Sequence, residues 1–556
     1  MNSLEQRKET LREEIRQAIL KANLLPESDV PEVHLEVPRE KEHGDWATNI
    51  AMKLTRVARR NPREIAAAIV ENLDQRKASI REVQIAGPGF INFFLDRSFL
   101  IKIIDEVREK KEEYGKSYEG QGKKVNIEFV SANPTGSLHL GHARGAAVGD
   151  ALCNILDAAG YDVTREYYIN DAGNQMQMMA LSIEARYFEL LGKEHSFPED
   201  GYRGQEMIQI AKEIVQDQGD KLLEMESAQR LNYLKQVGRD KLLAKIKSDL
   251  ERFRVPFNVW FSELSMYESG VIEETINELQ ERGYTYEQDG ALWLKTTEFG
   301  DDKDRVLVKK DGSYTYFTPD IAYHRNKFGR GHQLLINIWG ADHHGYIPRM
   351  KSALAALGYN SDQLEIVISQ MVKLYQGGEL VKMSKRTGKA VTLQELMNEV
   401  GVDAARYFFT MRSPDTHLDF DMDLAISKSN ENPVYYVQYA HARITSVFRQ
   451  AKEKGLQTTN EPTKLVKLQL EQELDLLQKL AEFPRDIAQA AAQLAPHRVI
   501  RYLHELATQF HSYYNAERVI TEDIELSEAR LTLLDAIQQV IRNGLKLVGV
   551  SAPDRM

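Results

Sequence analysis

The chain has 556 residues, 42% hydrophobic and 28% charged, with 34 Gly and 16 Pro. That composition excludes collagenous, low-complexity and disordered classes, and the length divides into about three to five domains. A single cysteine, Cys153, excludes an internal disulfide framework and a cysteine-based zinc knuckle, while a net charge of −11 leaves a nucleic-acid partner undecided, because local basic faces set phosphate contacts.

Residues 4–22 place Leu4, Leu11, Ile15, Ala18 and Ile19 at helical spacing. The charged start has no apolar leader and no run of about 18 apolar residues follows, so a cytoplasmic chain without a membrane span is expected. WATNIAMKLTRVARR and, after Asn61-Pro62, REIAAAIVENL read as helices, with the proline suited to a first turn. REVQIAG and GFINFFL read as strands around Gly87-Pro88-Gly89. Together these form an N-terminal α+β module over 1–110, closed by the charged connector REKKEEYGKSYEGQGKK.

A β-rich run at 124–130 leads through SANPTGS into LHLGHARGAAVGDALCNILDAAG, a helix with small residues on one face. Such a strand–loop–helix opens a Rossmann-like doubly wound domain, expected over 120–425, in which ligands bind beyond the carboxyl ends of strands. Further strands are expected at YTYFT, LLINIWGA and LEIVIS, and the polar helical stretch near 190–285 reads as an insertion. From 430 to 556 the periodicity is wholly helical, which makes an all-α bundle. The expected fold class is multidomain α/β with an α+β module before it and a bundle after it.

Two short segments carry phosphate chemistry. His139 and His142, in His-Leu-Gly-His, sit where the first α/β helix begins, so two imidazoles one turn apart meet a helix N-terminus suited to anions. Gly141 between them lets a flat base approach the backbone. A pair of surface or metal-ligating histidines is the alternative. About 240 residues later, Lys382-Met383-Ser384-Lys385 continues into Arg386, Thr387, Gly388 and Lys389. With Gly377-Gly378 before it, this reads as a mobile basic loop able to close on β- and γ-phosphates, or as an ordinary solvated charge run.

Together the segments resemble the HIGH and KMSKS signatures of class I aminoacyl-tRNA synthetases, here HLGH and KMSKR, each with one departure. EFVSANPTGSLHLGHARGAAVGD, IAGPGFINFF, GVDAARYFF and NPVYYVQYAHARI resemble the arginyl branch, over residues from about 40 to the C-terminus. The resemblance implies activation of L-arginine by ATP with Mg2+, then transfer to the 3′-terminal ribose of tRNA(Arg), by a monomer with no protein-bound zinc. It implies ATP contacts at His139, Gly141, His142, Gly340, Asp342, Lys382, Met383, Ser384 and Lys385, with the two histidines and two lysines in catalysis.

A guanidinium needs carboxylates and acceptors in fixed geometry. By resemblance Asp320 and Tyr316 form the arginine side-chain pocket, with Glu128, Ser131, Asn133 and His344 as further arginine contacts. Asp320 as a helix N-cap and Glu128 as an edge-strand charge are the bland alternatives. In GADHHG, paired histidines also suggest a metal, but no third ligand lies at a familiar spacing. The bundle is expected to contact the anticodon through Tyr435, Tyr439 and Arg443, near Tyr436 and His441, or to pack those rings as core. Arg56, Arg59, Arg60 and Arg63 offer a phosphate-binding edge or a solvated face. Two rival functions are a catalytically silent tRNA-binding paralogue and a small-molecule nucleotidylyltransferase.

Overall fold

The computed structural model describes residues 3–38, 40–381 and 391–556. Helix α1 (Ser3–Lys21) buries Leu11, Ile15, Ala18 and Ile19, the stripe read from the sequence. The segment WATNIAM is not helical from its start: Trp46–Thr48 is strand β1, and helix α2 (Ile50–Ala58) begins only after it. All three strand residues are buried, and pairing with a strand some 45 residues on decides their conformation. Helix α3 (Pro62–Asn72) follows, capped by Asn61, whose side chain accepts from the Arg63 N–H. Strands β2 (Ile80–Ala86) and β3 (Phe90–Leu95) complete an antiparallel sheet in the order β1-β3-β2.

Helix α4 (Arg97–Lys110) runs into strand β4 (Lys124–Glu128), helix α5 (Leu140–Ala158) and strand β5 (Asp162–Ile169). Helices α6 (Asn174–Leu190), α7 (Gln205–Gln218) and α8 (Ser227–Arg252) pack on one another around Met179, Ile183, Ile210, Leu234 and Leu242. Strand β6 (Val259–Ser262) comes next, then helices α9 (Leu264–Ser269) and α10 (Val271–Glu281). The stretch 190–285 is therefore not one helical insertion. It contains β6, which pairs parallel with β5 and forms one edge of the main sheet. Four half-buried residues give β6 no alternating pattern to betray it in sequence.

A small antiparallel sheet of β7 (Thr285–Gln288), β8 (Ala291–Leu294) and β9 (Arg305–Val308) precedes helix α11 (Phe317–Gly329). The strand expected at YTYFT is absent, and the reason is local. The Thr315 and Thr318 hydroxyls donate to the carbonyls of Val306 and Leu307 at 2.8 and 2.7 Å, and Pro319 sits in the first helical turn, where a missing N–H costs nothing. Strand β10 (Leu334–Gly340), helix α12 (Ile347–Ala356) and strand β11 (Leu364–Ser369) close the five-stranded sheet, ordered β11-β10-β4-β5-β6 with every pair parallel. The strand order reverses at β4, the position at which such sheets bind ligands.

Beyond it lie β12 (Val372–Gln376), β13 (Glu379–Leu380), α13 (Leu393–Val400), α14 (Val402–Thr410), β14 (Leu418–Asp421) and α15 (Met422–Ile426). Gly377 and Gly378, expected within a mobile loop, form the two-residue turn joining β12 to β13, with φ of 60° and 77°. The C-terminal helices are α16 (Pro433–Glu453), α17 (Pro462–Leu465), α18 (Glu471–Ala492), α19 (His497–Ala516) and α20 (Ile524–Leu547).

The charged connector expected from Arg108 onward is not a free linker, and its first three residues belong to α4. Arg108 donates through Nε to Asp535 at 3.0 Å and through Nη1 to the Thr459 carbonyl at 2.9 Å. The Tyr114 hydroxyl donates to the Leu480 carbonyl at 2.8 Å. Buried apolar side chains from α1 to α20 form one continuous core.

Candidate active site

At the end of β4 the backbone turns sharply. Val130 and Ser131 take φ of 68° and 39°, positive values in two consecutive non-glycine residues, one of them β-branched. Hydrogen bonds hold the corner: the Ser131 hydroxyl donates to Glu128 Oε1 at 3.0 Å and accepts from the Tyr168 N–H at 3.1 Å. The Tyr167 hydroxyl donates to the Ala132 carbonyl at 2.7 Å, and Asn133 donates to Gln175 Oε1 at 2.6 Å.

Helix α5 starts at Leu140 with His139 as its N-cap. His139 Nδ1 accepts from the Gly141 N–H at 3.3 Å, and His142 Nδ1 accepts from the His139 N–H at 3.4 Å. The rings stack with centroids 3.8 Å apart. Since Nδ1 accepts in both rings, the neutral tautomer carries its proton on Nε2, which makes Nε2–H the ring donor of each. Gly141 leaves room for this stack, since a Cβ there would lie a tight 3.3 Å from the His139 ring.

Asp320 is not an N-cap. It lies inside the first turn of α11, capped instead by Tyr316, and accepts from the Tyr346 hydroxyl at 2.7 Å. Burial, with the charges of Glu128 and Glu263 added, pushes its carboxyl up to about 7. Tyr316, at the N-cap position of α11, stands 76% exposed. Glu128 is buried at the end of a central strand, so it is no edge charge; its Oε2 lies 2.7 Å from Lys327 Nζ.

Sequence reasoning missed Glu263, Lys327 and Tyr346. Glu263 is buried at the carboxyl end of β6, hydrogen-bonded with Tyr168 and Tyr267, and burial raises its carboxyl. Finding β6 in the sequence would have placed Glu263 at a strand end. Gly340 ends β10, the neighbour of β4; Asp342 and His344 follow it, exposed in a short 3-10 turn, Ala341–Tyr346. Asp342 and His343 approach to 3.8 Å.

Lys382, Met383, Ser384 and Lys385, with Arg386 to Lys389, lie outside the described residues. The segments flanking them are anchored to the first motif. Thr392 bridges His139, and the Leu393 N–H donates to the Leu138 carbonyl at 2.8 Å. On the other side, the buried Arg144 of α5 donates to the carbonyls of Gln370, Thr416 and Ser413 at 2.8–3.0 Å.

In the bundle, Tyr435 and Tyr439 stack at 5.7 Å, and the Arg443 guanidinium lies 4.6 Å from the Tyr439 ring and 4.9 Å from that of Tyr514. All three are half-buried rather than core. His441 leaves this group: it is buried on another face, 3.0 Å from the Pro553 carbonyl. Arg56, Arg59, Arg60 and Arg63 are exposed around the α2–α3 turn.

Three family models match in succession. They are the arginyl tRNA synthetase N-terminal domain at residues 9–95, the catalytic domain of class I tRNA synthetases (R) at 104–448, and the DALR anticodon binding domain at 437–556. Arginine--tRNA ligase 1 of Halalkalibacterium halodurans is 61% identical over the whole of both chains, and arginine--tRNA ligase of Bacillus subtilis is 57% identical over the same extent. The fold is shared with the arginyl-tRNA synthetase structure of Thermus thermophilus, at a TM-score of 0.74 and 22% identity over 99% of this chain and 100% of that one. Full-length identity of this order, on the same three domains in the same sequence, makes the chain a member of the arginyl-tRNA synthetase family.

Proposed function

We propose that this chain ligates L-arginine to tRNA(Arg) in two steps driven by ATP. An oxygen of the arginine carboxylate attacks the α-phosphorus, and the bond to the bridging oxygen breaks as pyrophosphate leaves with its electron pair. A terminal ribose hydroxyl of the tRNA then attacks the activated carbonyl, loses its proton, and AMP departs. No protein nucleophile is needed, so catalysis is positioning and charge stabilisation.

The observation that carries this reading is that buried Glu128 and Glu263, at the ends of β4 and β6, both act on the carboxyl of Asp320. Glu128 lies beside the strained corner that leads to the stacked His139 and His142. Asp320 and Tyr316 receive the guanidinium, and Ser131, Asn133 and His344 line the rest of the amino acid. His139 and His142 donate to ATP phosphates, Gly141, Gly340 and Asp342 border the nucleotide, and Lys382, Met383, Ser384 and Lys385 close on pyrophosphate. Magnesium arrives with the nucleotide. Its ligands there are chiefly phosphate oxygens and water, the usual mode for a small cation that dehydrates reluctantly.

The module over 1–110 and the bundle over 430–556 hold the tRNA, the latter through Tyr435, Tyr439 and Arg443. The setting is the cytoplasm and the working unit a monomer; no described helix is long and apolar enough to cross a membrane. The silent-paralogue alternative lacks support: the relatives matched over the full chain are named ligases.

ATP–pyrophosphate exchange with each amino acid, run with and without tRNA, tests the proposal. Arginine alone should support exchange, and tRNA should stimulate it. Stronger exchange with another amino acid, or silence with all of them despite tRNA binding, would overturn it.

A further inference from the structure

The arginine pocket contains a cation of its own. Lys327 lies on α11, two turns beyond Asp320, and is fully buried. Its ammonium donates to Glu128 Oε2 at 2.7 Å and to Asn337 Oδ1 at 3.1 Å, and stands 4.2 Å from the centre of the Tyr323 ring. A site that must attract a guanidinium has no evident use for a second positive charge. A buried ion pair is also weak evidence for stability, since packed apolar residues often serve as well.

The surroundings fix where this ammonium acts. Asn337 is held by His324, whose Nδ1 lies 2.7 Å from the Asp320 carbonyl oxygen and whose Nε2 lies 2.7 Å from the Asn337 amide nitrogen. Burial and the charge of Lys327 pull the His324 ring down to about 3. The ring is therefore neutral at working pH, donating from Nδ1 and accepting at Nε2, which turns Asn337 Oδ1 toward Lys327. On the other side both oxygens of Glu128 are engaged, Oε2 by Lys327 and Oε1 by the Ser131 hydroxyl at the strained corner.

Glu128 is thus already neutralised, and the charge on Asp320 responds to the same ammonium. The groups facing the Asp320 carboxyl are the Tyr346 hydroxyl from the turn after β10, Glu128 from β4, Glu263 from the end of β6, and Lys327 on its own helix. The two glutamates favour its protonated form; Tyr346 and Lys327 favour the ionised one.

We propose that Lys327 is a positioning residue for arginine recognition: it locks Glu128 as a structural partner and keeps Asp320 as the carboxylate that meets the guanidinium. The inference rests on the assignment of this pocket to the arginine side chain made above. It leaves the pocket two carboxylates not paired to Lys327, Asp320 and Glu263, where without the ammonium there would be three.

The test compares wild type, Lys327→Met, Glu128→Gln and the double variant in arginine-dependent pyrophosphate exchange across pH 5.5–9 (about the working range of a carboxyl raised this far). Lys327→Met should raise KM for arginine at least about tenfold while KM for ATP stays within about twofold. The acidic limb of kcat/KM for arginine should also move to higher pH, since Asp320 loses its nearby cation. In the double variant, which leaves no lone charge buried, the limb should return close to that of wild type. If Lys327→Met fails to fold, Glu128→Gln carries the test: with the ammonium left beside Asp320 and one carboxylate gone, the limb should move to lower pH, and an unmoved limb there would overturn the inference. An unmoved limb in Lys327→Met, or arginine and ATP constants that worsen together, would reduce Lys327 to a structural ion pair and overturn the inference. Failure of the underlying reading looks different, because wild type would then not select arginine at all.

Discussion

At Asp320, burial and two neighbouring glutamates hold the carboxyl up to about 7, from an ordinary value of 3.8. Between those values the folded, ligand-free chain keeps a proton that the unfolded chain gives up, so this group lowers stability as pH rises from about 4 to about 7. A guanidinium binds the ionised form. Arginine binding near pH 6 should therefore release protons, with affinity climbing toward pH 7 and levelling above it. Calorimetry in two buffers of different ionisation enthalpy reads the proton count directly. Asp320→Asn should abolish the release. It should also cut kcat/KM for arginine by roughly 10⁴–10⁵ while citrulline, near-isosteric and neutral, loses far less. Proton release that persists in Asp320→Asn would move the guanidinium partner to Glu263. The family resemblance nominates Asp320 and Glu128. It does not say that Glu128 is already paired, because Lys327 lies 199 residues away in sequence.

Helix α5 shows how an element places chemistry. Its small residues let it lie against β4, and a Cβ at Gly149 would come within 2.3 Å of the Phe129 ring. Gly145, on the same helix, has nothing within 4 Å of such a Cβ. Gly149→Ala should therefore destabilise by about 1–3 kcal/mol through overpacking. Gly145→Ala should instead stabilise by about 0.5–1 kcal/mol through helix propensity. Urea midpoints of the two variants decide the matter; equal shifts would mean that the α5–β4 contact is loose. The small face and the helix start were both legible in sequence, since each is local. Strand β6 was not, because four residues paired on one edge only carry too short a pattern, and YTYFT misled because its aromatic and β-branched residues favour strands while threonine hydroxyls bent the chain into a helix.

Across the whole molecule, Arg406 is a junction. Fully buried on α14, it donates to Asp150 on α5 at 2.5 Å, to the Phe253 and Arg254 carbonyls after α8 at 2.9 and 3.1 Å, and to the Val548 carbonyl after α20 at 3.0 Å. The C-terminal segment is stitched down alongside it, with the Ser551 N–H donating to Asp403 at 3.1 Å and Gln438 donating to the Ser551 carbonyl at 2.9 Å. Arg406→Met should cost about 3–5 kcal/mol, because Asp150 is left buried without its main partner. The lower end is expected, since Arg165 remains 3.6 Å from Asp150 Oδ1. Thermal unfolding should then show the bundle and the catalytic domain separating into two transitions. One transition at an unchanged temperature would remove Arg406 from this role.

The sequence by itself determined what depends on near neighbours and on residue chemistry. That covers the helical stripe of α1, the strand–loop–helix opening at β4, the start of α5, the helical C-terminus, and the two signature motifs with the family they resemble. Tertiary structure alone decided which charges meet. Glu263 reaches the pocket only because β6 docks at the sheet edge, and Lys327 reaches Glu128 only because α11 crosses the ends of β4 and β10. The end of α4 and the connector after it lie against the bundle only because Arg108 and Tyr114 find partners more than 300 residues onward. Periodicity and motif spacing report on the few turns or strands around a residue. A carboxylate's partners and proton affinity are set by groups that folding alone brings within a few ångströms.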